Sequence, residues 1–254
     1  MIFKRRKKRP SPAVTEKPSC FGPYDVAVLI EKGSRDDQQD ACDIACSEGR
    51  LRAVLSDGMG GMDCGAEISR QTVASLMNGD SFEDVSAAIL GKFGGAGGAT
   101  AIRADFTDDG LMFTAAGDSD LMLLRGGRLY FMNSRHEYGE EIMKRAMFCG
   151  GDVKNAFTDP QSGALTSYIG CPELECDGSL SPFPVEDGDT FMLCSDGISD
   201  SLNIDIMTAA LSLMPDDCVK KLKHEIENAH VPFQDNYTAV IIRISEGEKN
   251  EKKQ

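Results

Sequence analysis

Short apolar runs recur along most of this chain, and turn-forming residues separate them. YDVAVLIEKG (24–33), ACDIACSEG (41–49) and RLRAVLSDG (50–58) read as β-strands, each closed by glycine. Over 63–78 the period changes. Ala66, Ile68, Val73, Leu76 and Met77 form a stripe at helical spacing. A second helix fits 82–92, with Ser81 and Asp84 spaced as a capping box and Phe82, Val85, Ala88 and Ile89 on one side. Strand patterns return in ATAIRADF (99–106), LMFTAAGD (111–118), DLMLLRGG (120–127) and RLYFMNS (128–134). The last two form a hairpin around Gly126-Gly127. Residues 138–148 suit a helix, whereas 149–188 are rich in glycine and proline and read as irregular. DTFMLCSDG (189–197) is a buried strand, helices fit 204–213 and 216–229, and YTAVIIRI (237–244) is the final strand. Strands joined by hairpin-length links, without regular strand–helix–strand alternation, predict an α+β fold with antiparallel sheets.

The two ends break this pattern. Lys4 to Arg9 are six consecutive basic residues, followed by the polar, proline-rich PSPAVTEKPS. Residues 1–19 are therefore expected to be a disordered basic tail, and 245–254 a disordered charged tail, around a folded unit of 20–244. The basic run has no apolar segment after it, so it does not read as a secretory signal. No apolar run reaches the length needed to span a bilayer, and the expectation is a cytoplasmic monomer. The basic tail suits a weak contact with an anionic membrane surface.

Charge narrows the function. The 254 residues carry a net charge of -14, which argues against a specific nucleic-acid partner. Nine cysteines and three histidines include no C-x-x-C pair, so a zinc site is not expected and the thiols read as free. Carboxylates remain. Asp57 ends RAVLSDG, Asp196 ends FMLCSDG with Asp200 four residues on, Asp118 follows FTAAG, Asp235 precedes YTAVIIRI, and Arg35 and Asp40 precede another strand. Any single Asp-Gly pair fits an ordinary turn. Several aspartates at strand ends can instead converge on one rim of a sheet, where they repel one another unless a cation sits among them. An oxygen-only donor set suits Mg²⁺ or Mn²⁺, and one arginine suits a phosphate dianion.

The motifs GSRDDQQD, SDGMGG, GGATA, GDSD, SYIG, CSDGISD and DNYTAV, in this order over about 23–244, resemble those of the metal-dependent serine/threonine phosphatases, the protein phosphatase 2C family, in its bacterial form. The resemblance implies a four-layer sandwich, two central antiparallel β-sheets flanked by α-helices. It implies two Mn²⁺ or Mg²⁺ ions, with Asp57 shared between them, the Gly58 carbonyl on one, and Asp196 and Asp235 on the other. Arg35 would bind the substrate phosphate and Asp40 would orient the attacking water. Gln39 and Asn236 would lie in the outer shell. Asp118, with Asp196 or Asp200, matches a third, weaker metal site. Residues 139–172 correspond to a variable flap that shapes substrate choice. The implied activity is hydrolysis of phosphoserine and phosphothreonine in proteins, targets of a cognate kinase, by a water bridging the two ions. The alternatives are a catalytically inactive phosphoprotein-binding regulator on the same fold and, more remotely, a two-metal nuclease. Three positions depart from the family pattern: Gln39 replaces a common glutamate, Met59 a histidine of the animal members, and Asp120 the common arginine after GDS. His136 reads as a structural histidine.

Overall fold

The computed structural model describes residues 20–59 and 64–245. The expected basic tail and all but the first residue of the charged tail lie outside them. The chain forms β1 (Cys20–Phe21), β2 (Tyr24–Glu31), β3 (Asp40–Ser47) and β4 (Arg50–Met59), then α1 (Cys64–Asn78) and α2 (Phe82–Phe93). Next come β5 (Gly98–Ala99), β6 (Ala101–Thr107), β7 (Gly110–Ala116), β8 (Asp120–Arg125) and β9 (Arg128–Phe131). After α3 (Tyr138–Cys149), α4 (Asn155–Thr158) and β10 (Asp177–Gly178) follow β11 (Thr190–Cys194), α5 (Asp196–Ser199), α6 (Ile204–Leu211), α7 (Pro215–Ala229) and β12 (Tyr237–Ile244).

The strands build two antiparallel sheets. One has the order β1-β2-β12-β11-β8-β9; the other runs β10-β7-β6-β4-β3, with β5 paired to β4. The central core lies between them. Leu51, Ala53 and Leu55 of β4, Ile102, Ala104 and Phe106 of β6, Leu121 and Leu123 of β8, Phe191 and Leu193 of β11 and Val240 and Ile242 of β12 alternate inward. Phe106 and Phe191 meet edge to face across the gap, 5.1 Å between ring centres. The intervening residues face outward onto helices. Met122, Met192 and Ile241 pack against Met207, Leu211, Leu222 and Ile226 of α6 and α7. Val54, Ala101 and Ala116 pack against Ile68, Leu76, Phe82 and Ile89 of α1 and α2. Four layers result, as the resemblance implies. They explain why β11 reads as an unbroken apolar run: both of its faces are buried.

The helix and turn chemistry is local. Ser81 accepts the Asp84 amide at 3.1 Å and donates its hydroxyl to the Asp84 carboxylate at 2.9 Å, which starts α2. Gly126 and Gly127 both adopt positive φ, the geometry of a two-residue hairpin, and Arg125 pairs with Arg128 across the turn.

Four expectations shift. The strand expected over 99–106 breaks at Thr100, whose hydroxyl accepts the Asp57 amide at 3.0 Å. The strand expected over 189–197 stops at Cys194, and Asp196 opens a helical turn. The helix expected over 204–213 ends at Leu211. The irregular stretch 149–188 contains α4 and β10. Among the described residues, eight cysteines are free thiols, and no helix is long and apolar enough to cross a membrane.

Candidate active site

The ends of five segments meet at one rim of the sandwich. β4 delivers Asp57, and its antiparallel partner β3 places Asp40 directly opposite. The Thr100 amide donates to the Asp57 carbonyl at 2.8 Å, and the Thr100 hydroxyl lies 2.7 Å from that of Ser119, beside Asp118. On the other sheet, β11 ends just before Asp196, and β12 begins just after Asp235 and Asn236. The Ser195 hydroxyl donates to Asp40 at 2.9 Å and joins the two sheets at this rim.

A pocket of about 530 Å³ opens here. Arg35, Asp36, Asp37, Gln39, Asp57, Gly58, Met59, Thr100, Asp118, Leu165, Asp196, Asp235 and Asn236 line it. Two assigned residues stand off this wall. Asp40 is buried beside Asp57, outside the lining, and Asp200 lines a separate cavity.

Backbone contacts fix the loops. The Asn236 side chain accepts the Gln39 amide at 2.8 Å and donates to the carbonyls of Lys32 and Asp37 at 2.7 and 3.0 Å. It therefore clamps the loop that carries Arg35. Gly58 has no substitute: a Cβ there would lie 2.2 Å from the Gly65 carbonyl oxygen, so its lack of a side chain lets α1 close against β4. The Gly58 amide donates to the Gln39 carbonyl at 3.2 Å.

The electrostatics are strained. Burial, then the Asp40 and Asp196 charges, holds the Asp57 carboxyl well above the usual range. Burial, then Asp118, Asp200 and Asp235, pushes Asp196 up to about 7. Burial pushes Asp118 up to about 6, opposed by the positive charge of Arg135. Burial also raises Asp40. Two carboxylate oxygens, Asp40 Oδ1 and Asp196 Oδ1, are buried without a hydrogen-bond partner. Asp235 has a partner in the chain, because the Arg35 guanidinium donates to it at 2.5 Å while the arginine remains 57% exposed. Among the described residues no three acidic, cysteine or histidine side chains lie close enough together, as placed, to hold a metal ion.

The residues present fit divalent cations. The donors are oxygens only, one buried carboxylate oxygen on the wall, Asp196 Oδ1, lacks a partner, and the pocket is open to solvent on one side. Asp57, the Gly58 carbonyl, Asp196 and Asp235 are the groups that could hold them.

Three contributors were not singled out from the sequence. Thr100 anchors Asp57, and only its place in GGATA marked it. Ser195 sits beside Asp196 and holds Asp40. Arg135, from the segment after β9, donates to Asp120 at 3.1 and 2.6 Å; no local pattern signals a pairing between side chains on different elements. His136 is structural: its Nδ1 accepts the Gly117 amide at 3.2 Å.

No family model matches the sequence, and no curated protein matches it. Solved structures do match. The chain superposes on the Streptococcus agalactiae serine/threonine phosphatase with a TM-score of 0.74 at 21% identity, covering 87% of this chain and 100% of that one. On PppA of Pseudomonas aeruginosa, a regulatory component of its type VI secretion system, the TM-score is 0.70 at 26% identity, covering 87% and 97%. On the catalytic domain of the phosphatase PstP in complex with two manganese ions the TM-score is 0.69 at 21% identity, covering 87% and 98%. The fold is the one these bacterial proteins share, and it is the fold that the sequence motifs imply.

Proposed function

We propose that this chain is a metal-dependent phosphatase that hydrolyses phosphoserine and phosphothreonine in proteins that a kinase has modified. The observation that carries the reading is the rim of half-buried carboxylates, Asp57, Asp118 and Asp196, for which the described residues of the pocket wall supply a single cationic side chain, Arg35. Asp57 would be shared by two Mn²⁺ or Mg²⁺ ions, with the Gly58 carbonyl, Asp196 and Asp235 completing the donors. When bound, such a pair activates water at neutral pH and neutralises phosphoryl oxygens.

The chain's own groups supply the rest. Arg35 lies on the exposed lip with a forked donor set that suits a phosphate dianion, and moving off Asp235 frees both. Asn236 holds the Arg35 loop in register with β12. Asp40 has one oxygen committed to Ser195, which keeps it beside Asp57 and off the pocket wall. Among the described residues the wall contains no cysteine, histidine or serine, and this reading commits Asp57, Asp196 and Asp235 to the ions, which favours direct hydrolysis over a covalent intermediate. Met59 stands on the wall where a histidine acid would otherwise stand, so a protonating histidine forms no part of the reading. Leu165, from the flap region, reaches the same wall and extends the substrate surface.

Phosphate release from a phosphothreonine peptide tests the reading. Turnover is expected with Mn²⁺ and none in excess EDTA. Full activity in chelator contradicts it. Tight peptide binding without turnover would make the chain an inactive phosphoprotein-binding regulator.

A further inference from the structure

Arg135 lies in the segment between β9 and α3, and every donor of its guanidinium is used. Nε and Nη2 grip the two oxygens of Asp120 at 3.1 and 2.6 Å. Nη2 also donates to the Ser199 hydroxyl at 2.7 Å, and Nη1 donates to Glu137 at 3.3 Å and Asp200 at 3.1 Å. Five donors are the full complement of a guanidinium. Asp120 lies two residues beyond Asp118, and Asp200 four beyond Asp196. The neighbouring His136 binds Gly117 through both its amide and its ring, so this segment packs on the loop that carries Asp118. The guanidinium therefore sits between the two segments from which a third ion would have to be drawn.

We infer that the Arg135 guanidinium takes the place of a third cation beside Asp118 and Asp200, so that the chain holds two divalent ions rather than three. The inference rests on the two-ion reading above. Asp200 is where the expected third site and the structure disagree. Its Oδ1 is held by Arg135, and it opens onto a cavity of about 780 Å³ shared with Asp120, Ser199 and Ile204, away from the active pocket. A third ion at Asp200 would meet a fixed positive charge that cannot be titrated away. The exchange follows from the departure at position 120. An aspartate there needs a cation, and Arg135 supplies it from the next segment of the chain. One contact to Glu137 ties the residue before α3 to the same knot.

Ion counting tests this without reference to turnover. The full chain, stripped with EDTA, is titrated calorimetrically with Mn²⁺, and bound manganese is counted after desalting. Wild type is expected to bind two ions, and Asp200→Asn is expected to bind two with affinities unchanged within about twofold. The double variant Arg135→Gln with Asp120→Asn removes the charge pair without leaving Asp120 buried alone. It is expected to gain a third ion at least about 10-fold tighter than any third binding in wild type, and Asp200→Asn on that background is expected to abolish it. Three ions in wild type would overturn the inference, whether or not Asp200→Asn loses one of them, as would a folded double variant that still binds two. If the double variant does not fold, the wild-type and Asp200→Asn counts decide alone. Fewer than two ions in wild type would contradict the phosphatase reading and this inference with it.

Discussion

The molecule buries aspartates in two ways. Asp120 and Asp189 are almost inaccessible, and each is gripped by an arginine through both of its oxygens: Asp120 by Arg135, Asp189 by Arg125 at 2.8 and 2.5 Å. At the pocket, Asp57, Asp118 and Asp196 are also drawn into the fold, but Arg35 on the pocket lip pairs only with Asp235. Their carboxyl groups are all raised, and one oxygen of Asp196 has no partner. A buried carboxylate needs a positive partner or a proton. The chain supplies the partner where the role is structural. At the pocket the described residues give Asp57 and Asp196 no such arginine, and the proposed metal reading rests on that difference.

Removing pocket carboxylates is expected to have the largest effect. Asp57→Asn and Asp196→Asn should each lower kcat on a phosphothreonine peptide by three or more orders of magnitude, about 4 kcal/mol or more in barrier, while the far-UV spectrum stays native. Retention of activity within about tenfold would mean that these side chains are not the ligands.

The arginine-held aspartates should respond in the opposite sense. Arg125→Ala and Arg135→Ala each strand a buried charge and should cost roughly 3–5 kcal/mol of folding stability in urea melts. A loss below about 1 kcal/mol would show that solvent reaches Asp189 or Asp120 and would remove the contrast between the two groups.

Next in size is the pH dependence of the metal-free chain. Asp196 is pushed up from 3.8 to about 7 and Asp118 from 3.8 to about 6, so the folded state prefers their protonated forms. The stability they contribute is complete below about pH 4 and is lost as pH rises to about 7, on the order of a few kcal/mol. Thermal melts of EDTA-treated protein should therefore fall in midpoint between pH 5 and pH 8, and Mn²⁺ should restore more at pH 8 than at pH 5. A metal-free midpoint that rises over this range would contradict the electrostatics of the pocket.

The smallest expected change is at Gln39, on the pocket wall next to Gly58. An amide there adds no charge, so Gln39→Glu should tighten the weaker of the two Mn²⁺ binding steps by about 10- to 100-fold, with little change in kcat at saturating metal. An unchanged weaker step would place Gln39 outside the reach of either ion.

Much of this arrangement was legible in the sequence because it is local. Apolar runs such as FMLC and AVII mark buried strands, and the aspartates at their ends fall at the rim because strand ends define it. The four layers and the pocket membership of Arg35, Gln39, Asp57, Gly58, Asp118, Asp196, Asp235 and Asn236 followed from ordered motifs. Tertiary pairing was not legible. Asp120 reads as a departure from a family pattern until Arg135 is seen to reach it from the following segment. Asp200 reads as a further ligand, and nothing in the sequence signals that the same arginine pairs with it. Asp40 reads as the group that orients the attacking water, and its tie to Ser195 on the other sheet, beside Asp57 and behind the wall, was not legible. The break at Thr100 escaped periodicity because a hydroxyl accepting the Asp57 amide, not apolar burial, decides where the strand pauses.

If Asp57 and Asp196 hold cations as proposed, they carry protons in the absence of those cations. Calorimetric titration of Mn²⁺ into the EDTA-stripped chain, repeated in buffers of different ionisation enthalpy, measures this directly, because an ion entering such a site must expel the protons that hold its place. Binding at pH 6 with net proton release is expected, and a smaller release at pH 8.5 once Asp196 has ionised. Absence of Mn²⁺ binding, or binding at pH 6 with no protons released, would contradict it.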